Sequence, residues 1–398
     1  MKKKIMMLGG NYFQMTATKA AKELGCHVIS VDYLPSNPAH KYADEYYNVS
    51  TTDMQAVLEL AEKLRIDGIV SYASDVSAPT AAYVAEKLHL PTNPYESVLK
   101  LTRKDLIRPF MEKHKFNVPK GKSFTEKKEA FDFFKSIKKP AMVKPVDASG
   151  SKGVSKIWSE EEFDTAYNSA QEYSRSGIVI VEEFLQREGY QIAGDGFLVN
   201  GELVFAGLMN EHFDRKINPL VPIGESYPSV LPEYLREKAK AEIQRLMSLL
   251  GMHMGALNLD FIIDEYEDVY ILEIGPRNGG NLITDAIKLA VGVDLAKYTI
   301  LAALGEDCSG LKEENLKQYV SSFVIHSAQE GNFRKVKIKQ DIEKDIVLKD
   351  VFVKPGEKIH RFENGGFGIG AMLIKHQSSE EMLYRMEHME EFIEVEVE

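Results

Sequence analysis

The stretch ALNLDFIIDEYEDVYILEIGPRNGG, residues 256–280, alternates apolar and polar side chains on either side of an acidic turn at 264–268. Period-two alternation flanking a short polar turn predicts a hairpin of two antiparallel strands, 256–263 and 269–274. Closing that hairpin brings Asp260 near Glu273 among apolar neighbours. Adjacent carboxylates repel unless a cation lies between them, and oxygen ligands beside a phosphate substrate suit Mg²⁺ or Mn²⁺. Arg277, just past the second strand, is placed to offset charge on a transferred phosphoryl group. A surface hairpin with outward acids is the plainer alternative.

Working outward, strands are expected at 191–199 and 203–208, joined at Asn200-Gly201, with a helix at 232–250. The middle of the chain is therefore antiparallel α+β. Upstream, helices at 102–114, 127–137 and 160–173 alternate with strands at 141–146 and 178–184. Lys144 leaves an apolar strand into Ala148-Ser149-Gly150-Ser151-Lys152-Gly153. Small residues let backbone N–H groups close around phosphate oxygens, and the ammonium neutralises charge, although Walker A spacing is absent. The run Val179-Ile180-Val181-Glu182-Glu183-Phe184-Leu185 is either a hinge whose backbone reads an adenine edge or a strand end with solvated acids.

The first hundred residues alternate strands at 4–9, 27–32 and 67–72 with helices at 15–24, 53–64 and 78–88, an open, doubly wound, Rossmann-like α/β layer with its ligand crevice at the strand carboxyl ends. Gly9-Gly10 and Asp32 invite a nicotinamide or flavin reading. The dinucleotide fingerprint fails, because its second and third glycines are Asn11 and Gln14. Beyond residue 305 come a basic strand-rich stretch at 333–353, the turn Asn364-Gly365-Gly366, a helix at 379–389 and an acidic strand. These read as a third, smaller domain, and 398 residues at about 150 per domain allow two to three.

The net charge of -11 disfavours nucleic acid and anionic lipid as partners. Cys26 and Cys308 are too few and too far apart for a disulfide scaffold and speak for a reducing compartment. The apolar run of MKKKIMMLGG ends at a Gly-Gly turn, so it reads as a strand and not a signal peptide. No stretch reaches the roughly 20 apolar residues of a membrane span, which makes the cytoplasm the expected location.

The order of these motifs resembles the ATP-grasp superfamily of carboxylate–amine ligases. The layout is similar to that of biotin carboxylase, N5-carboxyaminoimidazole ribonucleotide synthetase and formate-dependent glycinamide ribonucleotide transformylase. The resemblance implies a pre-ATP-grasp Rossmann-like domain (1–101), an ATP-grasp core of two α+β subdomains (102–305, lid about 118–184) and a small C-terminal α+β domain (306–398). It implies ATP contacts from Lys104, Lys144, Ser149, Gly150, Ser151 and Gly153, and from the hinge Glu182, Glu183, Phe184 and Leu185. Gln191 stands where relatives have an acid that binds ribose. Asp260 and Glu273 become the metal acids, with Lys144 and Arg277 on the reacting phosphate. Residues 210–232, with Arg215 and the stretch Glu225-Ser226-Tyr227-Pro228-Ser229, fall where relatives place acceptor-binding segments, and Asn278 is a further implied substrate contact. Glu183 replaces a common lysine. Gly275 replaces an asparagine metal ligand, with Asn278 or Asn281 as substitutes.

The activity so implied is attack of a carboxylate on ATP, giving an acyl phosphate that an amine displaces, with small-molecule substrates. An amino acid is the favoured carboxylate, and a purine-type or bicarbonate-activating enzyme the runner-up. A non-catalytic ATP sensor and a nicotinamide oxidoreductase are rivals from other classes. The family layout also implies a homodimer through the first domain.

Overall fold

The computed structural model describes residues 2–398. Four parallel strands, β1 (Lys4–Leu8), β2 (His27–Val31), β3 (Glu45–Tyr47) and β4 (Gly68–Ser71), form a sheet in the order β3-β2-β1-β4. Both faces are covered, as a parallel sheet requires. Ile5 and Met7 pack on one side with Ala17, Ala21, Ala296 and Ile300, whereas Met6 and Leu8 pack on the other with Val57, Ala61 and Val84. One covering helix, Leu295–Ala303, comes from far along the chain. It approaches so closely that a Cβ on Gly68 would lie 2.5 Å from the Ala303 carbonyl oxygen.

A second, antiparallel sheet holds β5 (Gly121–Phe124), β6 (Ala141–Pro145), β7 (Ser155–Ile157) and β8 (Val179–Glu183) in the order β5-β8-β6-β7. The helices Lys127–Ser136 and Glu160–Tyr173 bury Phe134, Phe163 and Tyr167 against it. Each such aromatic contributes roughly 1.5–3 kcal/mol of burial.

The remaining strands are β9 (Gln191–Val199), β10 (Glu202–Phe213), β11 (Pro222–Tyr227), β12 (Gly255–Ile263), β13 (Val269–Gly275), β14 (Tyr319–Ile325), β15 (Gly331–Ile338), β16 (Ile346–Val351), β17 (Lys358–Ile359), β18 (Gly370–His376) and β19 (Ile393–Val397). Eight of them form one antiparallel sheet, β13-β12-β9-β10-β11-β14-β18-β16, and β17-β15-β19 form a small separate one. The strands β14, β18 and β16, from beyond residue 305, thus extend the same sheet as β9 to β13. The 203–208 strand is longer than its alternation suggested, reaching Phe213 because Asn210, Glu211 and His212 are buried polar residues that break the pattern. Between the expected strand at 203–208 and helix at 232–250 the structure adds β11, to which no strand was assigned from sequence. Cys26 and Cys308 are buried in different clusters. No helix among the described residues is long and apolar enough to cross a membrane.

Candidate functional site

A cavity of about 960 Å³ opens where the first layer, the β5–β8 sheet and the large sheet meet. Phe13 and Asp75 reach it from the first layer, Lys144 and Glu182 from the β5–β8 sheet, Asp260 and Glu273 from β12 and β13, and Phe362 and Gly365 from the C-terminal region.

The hairpin register pairs Asp260 directly with Glu273. Burial, then the Glu273 charge, pushes the Asp260 carboxyl up. For Glu273, burial is outweighed by Lys104, whose Nζ donates to Oε2 at 2.8 Å, and its carboxyl is held low. Lys104 begins the helix Lys104–Lys113, and its backbone N–H donates to the Val146 carbonyl at 3.0 Å, which docks the helix start on the end of β6.

Lys144 Nζ donates to Glu182 Oε1 at 2.6 Å. Arg108 Nε reaches Glu182 Oε2 at 3.3 Å and its NH groups donate to the Ile271 and Leu272 carbonyls. Burial alone would raise the Glu182 carboxyl, but Lys144 and Arg108 hold it at about 2. Its side chain is thus committed to two cations. At the hinge, the Glu183 N–H donates to the Lys120 carbonyl and the Phe184 N–H to Pro140, while the Leu185 N–H has no partner among the described residues. The Glu183 carboxylate accepts from the Lys138 N–H at 3.2 Å. Lys156 lies 3.6 Å over the Phe184 ring, forming an apolar, cation-capped wall.

The loop 148–153 borders the same space, with Gly150 and Ser151 in the left-handed region at φ 68° and 57°. The Gly365 N–H donates to the Gly150 carbonyl at 3.0 Å, tying this loop to the C-terminal turn. Gly153 is outside the lining and packs on the helix Glu160–Tyr173.

Residues 103–281 match the ATP-grasp domain family. The chain carries an ATP-grasp domain. An uncharacterized protein of Sinorhizobium fredii is 27% identical over 281 residues, 68% of this chain and 56% of that protein. The chain therefore spans little more than half of that relative. A formate-dependent phosphoribosylglycinamide formyltransferase of Prochlorococcus marinus is 27% identical over 289 residues, 69% of this chain and 70% of that protein. The fold is shared over 100% of this chain and 99% of the other with an L-amino acid ligase from Bacillus licheniformis, at TM-score 0.82 and 19% identity.

The residues of this ATP-grasp domain fit ATP and Mg²⁺. Asp260 and Glu273 are half-buried oxygen donors in register, and Mg²⁺ takes one or two carboxylates with phosphate oxygens and water completing its shell. Phosphate oxygens would replace Glu273 and Glu182 as partners of Lys104 and Lys144. Gln191 donates to Asp260 Oδ1 at 2.8 Å and orients that carboxylate. At position 275 a side chain would lie 2.7 Å from Asp75 Oδ1 and 3.1 Å from the Arg277 guanidinium carbon, so the Asp75–Arg277 pair occupies the place of an asparagine ligand.

Two expected substrate residues are elsewhere. Asn278 is fully buried outside the cavity, donating to Asp195 Oδ2 at 3.1 Å and accepting from Thr299 at 2.6 Å, so it fixes the 278–279 turn. Ser229 is buried off the lining, its N–H on the Leu208 carbonyl. Of the two substitutes for the missing asparagine, Asn281 is the one on the cavity. Arg215 lies on its exposed rim. At the first layer, the Gln14 amide fills the Gly9 turn, donating to the Leu8 and Tyr72 carbonyls, so a dinucleotide pyrophosphate has no approach there.

Sequence reasoning missed Arg108, Asp75 and Glu211, whereas Glu225, from the stretch implied to bind the acceptor, does line the cavity. Arg108 could have been found four residues from Lys104 on one helix face. Asp75 follows β4 at the crevice end of the first sheet, where ligand-facing residues gather. Glu211 carried no local signal of its own.

Proposed function

We propose that this chain is an ADP-forming carboxylate–amine ligase whose carboxylate substrate is an amino acid or a similar small molecule. The observation that carries this reading is the meeting of Lys104, Lys144, Arg277, Asp260 and Glu273 around one cavity. The substrate carboxylate attacks the γ-phosphorus, ADP leaves, and the acyl phosphate loses phosphate to an attacking amine. The protein's work is positioning and charge. Lys104 and Lys144 hold phosphate oxygens. Arg277, locked by Asp75, faces the transferred group. Bound Mg²⁺ offsets phosphate charge when it is held by Asp260 and Glu273. The 148–153 loop, drawn down by Gly365, excludes water that would hydrolyse the acyl phosphate. In this reading 118–184 is the lid, 1–101 the preceding domain through which a homodimer forms, and 306–398 the C-terminal domain.

Similarity to the Prochlorococcus formyltransferase favours a purine-type second reading. ADP release measured with MgATP separates the two. Turnover with amino acids supports the first, turnover only with bicarbonate plus aminoimidazole ribonucleotide or formate plus glycinamide ribonucleotide supports the second, and ATP binding without turnover for any acceptor indicates a sensor.

A further inference from the structure

The cavity face of the large sheet carries one row of polar side chains across five strands. Glu225 on β11 pairs in register with Glu211 on β10, and Glu211 with Gln191 on β9. Gln191 reaches Asp260 on β12, which pairs with Glu273 on β13. Side chains opposite one another in an antiparallel pair share a face, and all five line the cavity.

The two ends of this row differ in charge balance. Lys104 and Lys144 lie against the Glu273 and Asp260 end. The Glu211 and Glu225 end has no ion pair among the described residues. Glu225 accepts from Ser322 Oγ at 2.7 Å and Asn281 Nδ2 at 3.3 Å. Glu211 is 7% exposed, and its Oε2 has no hydrogen-bond partner. Arg187 is held instead by the Gly189 carbonyl at 3.2 Å, Gln191 Oε1 at 3.4 Å and the Phe213 ring. A buried carboxylate with an open oxygen costs several kcal/mol unless a cation or proton meets it.

Resting on the ligase reading, we propose that Glu211 and Glu225 form an ammonium subsite that holds the α-amino group of the carboxylate substrate. Its carboxylate then points along the row toward Asp260 and Glu273. An ammonium needs only a few acceptors. Phe213, Leu220 and Val221 provide apolar walls for the carbon chain beside it.

Hydroxamate formation with MgATP and hydroxylamine reads acyl phosphate production without knowledge of the natural amine. It is measured for paired acids with and without the amino group, such as alanine against propionate and glutamate against glutarate. The expected result is hydroxamate from an amino acid and not its des-amino partner, with KM for that amino acid raised about tenfold or more in Glu211→Gln. Equal use of both partners, or an unchanged KM, overturns the subsite and leaves the ligase reading standing. If no acid yields hydroxamate, the ligase reading fails, and the subsite is judged by Trp158 fluorescence of the MgADP-loaded chain with the same pairs. Trp158 is the single tryptophan and lines the cavity. An amine-dependent change lost in Glu211→Gln keeps the subsite, and no amine dependence ends it. Should Glu211→Gln fail to fold by thermal unfolding, Glu225→Gln is read by the same criteria.

Discussion

Lys104 and Glu273, 169 positions apart, meet at 2.8 Å on the cavity lining, so the cation we propose for phosphate and the carboxylate we propose for metal neutralise one another. Glu273→Gln retains a hydrogen-bond acceptor for Lys104 but removes the charge. Turnover is expected to fall by on the order of 10²–10³-fold, as for loss of a transition-state charge contact. The circular dichroism spectrum should be unchanged. Retained turnover would refute the metal assignment.

Arg108 ties the Glu182 carboxylate to the carbonyls of β13 from a buried position. Arg108→Met leaves those acceptors without a donor and Glu182 with Lys144 alone. Breaking one side of a buried charge cluster costs about 3–5 kcal/mol. Urea unfolding should show that loss, together with weaker ATP binding.

Asp75 grips Arg277 through Nε at 2.8 Å and through NH2. Asp75→Asn keeps the volume and loosens the guanidinium. We expect kcat to fall about 10- to 100-fold with little change in KM for ATP, because Arg277 then acts on the transferred group from less fixed positions. An equal rise in KM for ATP would instead place Arg277 on the ground-state nucleotide.

Burial pushes the Glu225 carboxyl up to about 7, despite the opposing hydrogen bonds from Ser322 and Asn281. The folded state therefore binds a proton that the unfolded state releases above its ordinary value of 4.5. Stability from this group is full below that value and falls as pH rises through about 7, by about 3 kcal/mol in all. Glu225→Gln does not titrate, so relative to the parent it should gain stability between pH about 5 and about 8. Parallel unfolding profiles would show the carboxyl to be unshifted.

Gly365 donates to Gly150 from the first turn of a short 3₁₀ helix, a position that tolerates proline. Gly365→Pro removes that donor and sets the ring Cδ against the Gly150 carbonyl, so the contact is broken. Proteolysis within 148–153 should accelerate and KM for ATP should rise, and an unchanged rate would mean the contact does not hold the loop.

Much of the ATP-grasp domain was legible in local pattern. Alternation at 256–274 fixed the hairpin, and a two-residue Asn-Gly turn fixed β9 against β10, because strand period and turn geometry act over a few residues. The exact partner of Asp260 was not legible: the turn register, Ile263 on Val269, would set Asp260 opposite Leu272, and a bulge between Asp260 and Phe261 shifts it to Glu273. Lys144 at a strand end was readable, whereas Lys104 at a helix start came only from the family resemblance, since the local pattern began that helix at Thr102.

What the sequence could not reveal depends on elements distant in the chain. Helix Leu295–Ala303 covers the first sheet, strands beyond residue 305 complete the large one, and Arg277 finds Asp75 across 202 positions. Glu211 looked like an ordinary polar residue because its burial is set by tertiary packing. Local sequence determined which strands and helices form, since backbone sterics and side-chain periodicity are short-ranged. Tertiary packing decided which carboxylates lost water and which found a cation, since desolvation and Coulomb forces depend on distance in space and not along the chain.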